Sequence, residues 1–179
     1  MNTSNQNIMR VAIIGGMMLL AGLSRLIPHP FNFTAIMALA LFGGAKFKNP
    51  SLSIVVPLVV MLITDVIIGF YTLMPFVYSC IVVTSLLGMA VGRKSNPLYI
   101  IGGSLISSVL FFLVTNAAVW YHNPQFTQDV SGLMMCYDFA VPFFRNQLFG
   151  DLFFNFMLFG SYYLVKTKIP ALRYEMTKF

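Results

Sequence analysis

The sequence contains very few charged residues, and acidic ones are the scarcest. Only 9% of its 179 residues are charged and 58% are apolar, whereas soluble domains carry about a quarter charged residues. A soluble protein of this length would have too few charges to cover its surface. Basic residues outnumber acidic ones by 11 to 5, but no aromatic-basic motif of a nucleic-acid-binding module accompanies them. The composition therefore predicts a membrane protein whose outer solvent is lipid, with no nucleic-acid partner.

Cysteine and recognisable catalytic motifs are also scarce. Two cysteines, Cys80 and Cys136, are too few for a disulfide scaffold, and with His29 and His122 they do not show the spacing of a zinc site. The chain has no Ser-His-Asp set, no HExxH motif and no P-loop. We therefore predict a protein that is not an enzyme, needs no cofactor and has no ATPase of its own.

Long apolar runs predict the architecture. A helix needs about 20 apolar residues to cross a bilayer, and backbone groups in lipid must hydrogen-bond within their own segment, which favours helices. We predict an all-α, polytopic membrane protein of six transmembrane helices in one domain over residues 1–179. The second span is short, and the first is interpreted as a retained helix rather than a signal peptide. The predicted spans are 9–26, 33–45, 51–70, 73–92, 98–121 and 147–165.

Basic residues divide unequally between the two sides of this six-span arrangement. Only Arg25 and Arg145 fall on the side opposite the termini. Basic loops are retained in the cytoplasm, so both termini are predicted to be cytoplasmic. The basic residues on the terminal side are Arg10, Lys46, Lys48, Arg93, Lys94, Lys166, Lys168, Arg173 and Lys178.

The longest predicted connection covers residues 122–146, on the outer side. It is longer than a turn between helices requires, and its segment GLMMCYDFAVPFF is too apolar for a disordered loop. We predict that it folds over the bundle as a lid or a short re-entrant helix. An interfacial segment anchored by its aromatic residues is the alternative.

Two predicted spans contain a carboxylate. Asp65 lies in span three, where a charge costs several kcal/mol unless it is paired or wetted, and Arg25 and Arg145 are its candidate partners. Asp151 lies in FGDLFFNF, and Asn155 follows four residues later on the same helix face. Either carboxylate is interpreted as a cavity group or as a structural one: Asp65 in an ion pair, Asp151 as a cap in the first turn of its helix.

The segment RLIPHPFNF, residues 25–33, interrupts the apolar pattern. Pro28 and Pro30 end the first helix and impose an extended turn. Irregular backbone at membrane depth requires cover by protein or water, so we predict that this turn dips into an outward-facing cavity; a plain loop at the lipid headgroups is the alternative. The candidate substrate-binding residues are His29, Asn32, Asp65, Asn116, Trp120, Asp138, Arg145 and Asp151, of which Trp120 also suits an interfacial aromatic belt.

Four blocks of the sequence resemble the substrate-binding S-components of energy-coupling factor (ECF) transporters and a small group of bacterial proteins similar to them. The blocks are RLIPHPFNFTAIMALALFGGAKF, SLSIVVPLVVMLITDVIIGFY, FFLVTNAAVWY and CYDFAVPFFRNQLFGDLFFNFMLFG, and the resemblance covers about residues 10–165. It implies a multi-pass protein of the bacterial cytoplasmic (inner) membrane. Such a protein binds a vitamin or other micronutrient in an outward-facing cavity roofed by loops, and is coupled to a membrane subunit and two ATPases.

The same resemblance suggests particular roles and branches. Small residues on the first helix commonly form the docking face for the coupling subunit. Ala12 and Gly16 make such a pair here, where the family's usual pattern has alanines. A cobalamin-binding branch ligates cobalt through a cysteine, which makes Cys80 a candidate metal ligand. The nickel and cobalt branch carries an N-terminal histidine motif, which the start MNTSNQN lacks.

Three alternatives to a substrate-binding subunit stay open. One is a solitary transporter of the cobalamin type. Another is a non-transport scaffold of envelope assembly, which would pack its outer half solid. The last is a membrane enzyme that pairs Asp65 with His29, which requires the two groups within about 3 Å, directly or through one water.

Overall fold

The structure, a computed structural model, describes residues 3–92 and 96–169, and within these ranges it contains helices and no strand. The predicted all-α class is therefore confirmed. Four of the basic residues in the charge argument, Arg93, Lys94, Arg173 and Lys178, lie outside the described residues. The helices are α1 (Thr3–Leu23), which a 3-10 turn (Ser24–Leu26) extends, α2 (Ile36–Lys46), α3 (Pro50–Ile68), α4 (Met74–Gly92), α5 (Pro97–His122) and α6 (Val130–Lys168).

Five helices of the described chain, all except α2, are long and apolar enough to cross a membrane. Helix α2 has 11 residues, or about 16 Å, roughly half of a hydrocarbon core. Large apolar side chains remain exposed on the outside of the bundle, among them Val59 and Val66 on α3 and Phe153 and Phe156 on α6. Exposed apolar surface of this extent requires a non-aqueous surrounding. The protein is thus an all-α membrane bundle in which α2 alone falls short of the length of a full span.

Helix α6 is one helix of 39 residues, and it corrects the predicted loop over 122–146. The connection from α5 covers only 123–129, and the chain from Val130 onward is helical through Pro142. The prediction of a long loop was wrong because the apolar segment that follows Val130 is continuous with the last span in one helix. Pro142 does not end this helix, since a membrane helix tolerates proline where neighbouring groups satisfy the carbonyl that it frees. At about 58 Å, α6 is nearly twice as long as a hydrocarbon core is thick.

The start of α6 is fixed by a side-chain cap. Asp129 accepts a hydrogen bond from the Gly132 amide at 2.7 Å and another from the Thr127 hydroxyl at 2.8 Å. These bonds favour the ionised carboxylate, and the one from Gly132 contributes most to lowering the pKa of Asp129. A capped first turn explains why the helix begins soon after α5 ends.

Helix α2 forms the centre of the bundle, and its residues 37–44 are all buried. Its closest neighbour is α4, which runs in the same direction. A Cβ at Gly44 would lie 2.1 Å from the Ser85 carbonyl oxygen, and one at Gly88 would lie 2.4 Å from the Leu41 carbonyl oxygen. Only glycine permits this backbone approach. Gly44 and Gly88 thus bring two helices of the same chain into close contact.

Most basic residues of the described chain, all except Arg25 and Arg145, lie toward one end of the bundle, which we call the basic end. Arg10 of α1 donates a hydrogen bond of 2.7 Å to the Lys46 carbonyl at the end of α2. The Lys46 ammonium lies 4.9 Å from the ring centroid of Tyr162, near the end of α6. The beginning of α1 and the end of α6 therefore lie at the same end. The opposite end, here the cavity end, carries the connection from α1 to α2 and the turn from α3 to α4.

Candidate functional site

A cavity of about 490 Å³ opens at the cavity end. This volume lies within the range of small-molecule sites. Its wall combines the connection from α1 to α2, the turn before α4, and one face each of α5 and α6. The lining residues are Arg25, His29, Phe31, Asn32, Thr34, Ile36, Met37, Ile68, Tyr71, Leu73, Val77, Phe111, Thr115, Asn116, Val119, Gln147 and Asp151.

A tight turn between α1 and α2 forms one wall of the cavity. The Phe33 amide donates to the Pro30 carbonyl at 3.0 Å, and Asn32 between them has a φ of 62°. A turn with positive φ at its third residue favours glycine or asparagine there. This geometry holds Asn32 and His29 at the cavity, where the sequence predicted them. The His29 ring lies 3.0 Å from the Pro30 carbonyl through Nδ1.

An ion pair lies behind this wall. Arg25 Nη1 is 2.9 Å from Oδ1 of Asp65, which is fully buried. The same arginine donates to the Thr64 hydroxyl, and the Tyr78 hydroxyl donates to Asp65 Oδ2 at 3.0 Å. Of the two candidate partners, the structure pairs Asp65 with Arg25 and not with Arg145. Arg25 lines the cavity, whereas Asp65 neutralises it from behind.

Tyr71, in the turn between α3 and α4, also lines the cavity. Its partial burial, together with the negative charge of Asp65, raises the pKa of Tyr71 to about 12. The hydroxyl therefore stays protonated near neutral pH and remains able to donate a hydrogen bond to a ligand.

Asp151 lies at the deep side of the cavity and is 1% exposed. Its Oδ2 accepts hydrogen bonds from the Ser108 hydroxyl at 2.7 Å and from the Gln147 amide at 3.4 Å. The Ala38 backbone amide, in the first turn of α2, also faces the carboxylate. No lysine, arginine or histidine among the described residues forms an ion pair with Asp151, whereas Asp65 is paired with Arg25.

The capping interpretation of Asp151 is corrected by the length of α6. Because α6 begins at Val130, Asp151 lies in the helix interior and does not cap its own first turn. It faces the first turn of α2, where free amides and the helix dipole favour an anion. Gly150 allows this contact, since a Cβ there would lie 3.2 Å from Phe33 Cα and from the Thr34 amide nitrogen.

A second polar layer lies below Asp151. The Asn155 amide donates to the Asp151 carbonyl at 2.9 Å and to the Ser104 hydroxyl at 3.0 Å, which confirms that Asn155 and Asp151 share a helix face. The side-chain oxygens of Asn155 and Ser85 are buried without a hydrogen-bond partner among the described residues. Buried polar side chains thus extend from Asp151 to Asn155 and Ser104, beyond the lining of the cavity.

Four of the predicted substrate-binding residues do not line the cavity. Asp65 lies behind its wall, and the other three are Trp120, Asp138 and Arg145. The Trp120 indole donates to the Thr127 carbonyl at 2.8 Å and so holds the connection to α6. Asp138 and Arg145 are exposed on α6, because residues 130–146 form a helix and do not fold over the bundle. Cys80, the candidate metal ligand, is 1% exposed within an apolar cluster on α4.

Several residues that line the cavity were not among the predicted substrate-binding residues. Gln147 lies four residues before Asp151, so helical spacing places both on one face. The sequence could therefore have indicated Gln147 as well. Thr115 precedes the selected Asn116. The sequence indicated Arg25 only as an ion-pair partner for Asp65. No local pattern in the sequence indicates Tyr71.

The predicted docking pair lies on an exposed face of α1. Ala12 and Gly16 are exposed, and a Cβ at Gly15 or Gly16 would meet nothing within 4 Å. In contrast, a Cβ at Gly22 would lie 2.3 Å from Val60 Cγ1, so only the cavity-end part of α1 packs closely on α3 through its small residues.

The fold and the cavity define the class of this protein: an all-α membrane bundle with a cavity of mixed polar and apolar lining at one end. The chain belongs to DUF6580, a family of unknown function, which it matches over residues 5–172. No curated protein and no solved structure matches it.

Proposed function

We propose that this protein is a substrate-binding membrane subunit for uptake of a vitamin or other micronutrient, similar to the S-components of ECF transporters. The cavity is the observation that carries the proposal. Polar groups from separate parts of the chain, among them Asn32, Asn116 and Asp151, converge on a space of about 490 Å³. A scaffold of envelope assembly would gain stability by filling this half of the bundle with side chains, since each void loses packing energy.

The charge distribution supports an outward-facing cavity. Arg10, Lys46 and Lys166 lie at the basic end, which the positive-inside rule assigns to the cytoplasm. The cavity then opens to the exterior of the bacterial cytoplasmic membrane, and both termini are cytoplasmic. A cysteine introduced at Arg145 should react with a membrane-impermeant maleimide from outside in intact cells; labelling only after lysis would reverse the orientation.

Coupled transport would require partners. The sequence has no P-loop, so energy would come from a coupling subunit and two ATPases. The open face of α1 at Ala12 and Gly16 suits the docking of a helix, because small residues allow backbones to approach closely. Solitary transport of the cobalamin type is the second candidate, but Cys80 does not line the cavity.

Mass spectrometry of small molecules that copurify with the detergent-extracted protein tests the proposal. Thr115→Phe adds an aromatic ring inside the cavity. The control Leu113→Phe adds an aromatic ring on the exposed face of the same helix, α5. Wild type and Leu113→Phe should release one common compound, and folded Thr115→Phe should not. Absence of any compound from wild type, or its retention by Thr115→Phe, would contradict a binding role for this cavity.

A further inference from the structure

We infer that the ligand is an organic molecule with a single positive charge, and that Asp151 is the residue that selects this charge. The inference rests on the proposed function, because it takes the cavity to be a binding site. The charged groups around the cavity are the first observation that supports it.

One acidic side chain of the cavity lining has no cationic partner among the described residues. The titratable side chains that line it are Arg25, His29, Tyr71 and Asp151. The charge of Arg25 is balanced by Asp65, 2.9 Å away. Tyr71 is neutral near pH 7, since a tyrosine hydroxyl ordinarily titrates at about 10 and its pKa is raised further here. Asp151 has no cationic partner among the described residues.

The surroundings of Asp151 supply hydrogen-bond donors but no counter-ion. Ser108 and Gln147 donate hydrogen bonds to one carboxylate oxygen, and the Ala38 amide faces the group from the first turn of α2. A helix N-terminus supplies the equivalent of only about half a positive charge. A carboxylate that is 1% exposed and lacks a counter-ion is costly. A ligand cation within reach of this group would complete the pair.

The rest of the lining suits an organic cation better than a bare metal ion. Within the described residues, no three His, Cys, Asp or Glu side chains come together as metal ligands. The wall instead includes apolar side chains such as Met37 and Val77, and the aromatic rings of Phe31 and Phe111. Apolar walls accommodate the body of a ligand, and aromatic faces attract cations.

The test compares wild type with Asp151→Asn and Asp138→Asn. The amide at 151 keeps the shape and a hydrogen-bonding oxygen but removes the charge. Asp138→Asn makes the same change on an exposed carboxylate of the same helix, outside the cavity. Compounds released from each purified protein are identified by mass spectrometry, and the identified compound is titrated back. Its affinity should fall at least about tenfold in Asp151→Asn, as expected for loss of an ionic hydrogen bond, and stay unchanged in Asp138→Asn.

The outcomes separate this inference from the function on which it rests. A bound compound that is neutral or anionic at pH 7, or equal affinity in folded Asp151→Asn, overturns the charge selection and leaves the binding role intact. No compound in any of the proteins counts against both. If Asp151→Asn does not fold, the charge of the compound from wild type decides, and Asp151→Glu, which retains the charge, should still bind it.

Discussion

The ion pair between Arg25 and Asp65 is unequally buried, and this inequality has a measurable consequence. Asp65 is fully buried, whereas the Arg25 side chain is 10% exposed and faces the cavity. Breaking a buried pair costs about 3–5 kcal/mol when the remaining charge has no compensation. Arg25→Gln leaves the Asp65 carboxylate in the protein interior with the Tyr78 hydroxyl as its remaining hydrogen-bond donor. We therefore expect Arg25→Gln to reduce the free energy of unfolding by this full amount.

Asp65→Asn should cost less. The guanidinium that remains lines the open cavity, so the loss should approach that of one hydrogen bond to a charged group, about 1.5–3 kcal/mol. The double variant should cost less than the sum of the single variants, because neither charge then remains alone. Arg145→Gln, which removes an exposed arginine from α6, serves as the control and should change stability by less than about 0.5 kcal/mol.

Unfolding of the purified protein in mixed micelles with increasing denaturing detergent, followed by circular dichroism, measures all four differences. Purification yield and elution profile confirm that each variant starts from the folded state. Equal costs for Arg25→Gln and Asp65→Asn, or costs that simply add in the double variant, would refute the asymmetric burial on which the reasoning depends.

The remaining predictions concern backbone geometry and a helix cap. Gly44→Ala should reduce the free energy of unfolding by about 3 kcal/mol or abolish folding, because its Cβ would lie 2.1 Å from a backbone oxygen. The control is Gly102→Ala, whose Cβ would meet nothing within 4 Å. In the same unfolding assay it should be neutral or stabilising by up to about 1 kcal/mol. Asn32→Gly should leave stability unchanged and Asn32→Ala should cost about 1 kcal/mol, because φ is 62°; equal effects would argue against the turn. The lowered pKa of Asp129 means that its cap is fully formed above its unfolded pKa of about 3.9 and is lost as the pH falls through the lower folded value. Asp129→Ala should therefore speed amide hydrogen exchange in the first turn of α6 at pH 7, and unchanged protection would contradict the cap.

Local sequence signals were sufficient for the class of the fold and for one wall of the cavity. Low charge and long apolar runs specify membrane helices, since backbone groups in lipid have no partner outside their own segment. Pro28 and Pro30 end α1 wherever the chain folds, because proline lacks an amide hydrogen and restricts the residue before it. The irregular segment at 27–35 could therefore be predicted, together with His29 and Asn32 at the cavity. The short length of α2 was also visible in the sequence.

Contacts between distant segments were decided only by the tertiary structure. Residues 130–146 form part of α6, which continues through Pro142, so the lid predicted over 122–146 is absent. Arg25 and Arg145 were equivalent partners for Asp65 until the packing of α1 on α3 selected one of them. The position of Asp151 against α2 depends on helices that lie far apart in the chain, and no local pattern specifies it. Composition and periodicity thus determined the solvent of this protein and the type of its helices. The tertiary structure alone decided that, among the described residues, Asp65 has a cationic partner and Asp151 has none. The reason is that this pairing depends on side chains that only folding brings together.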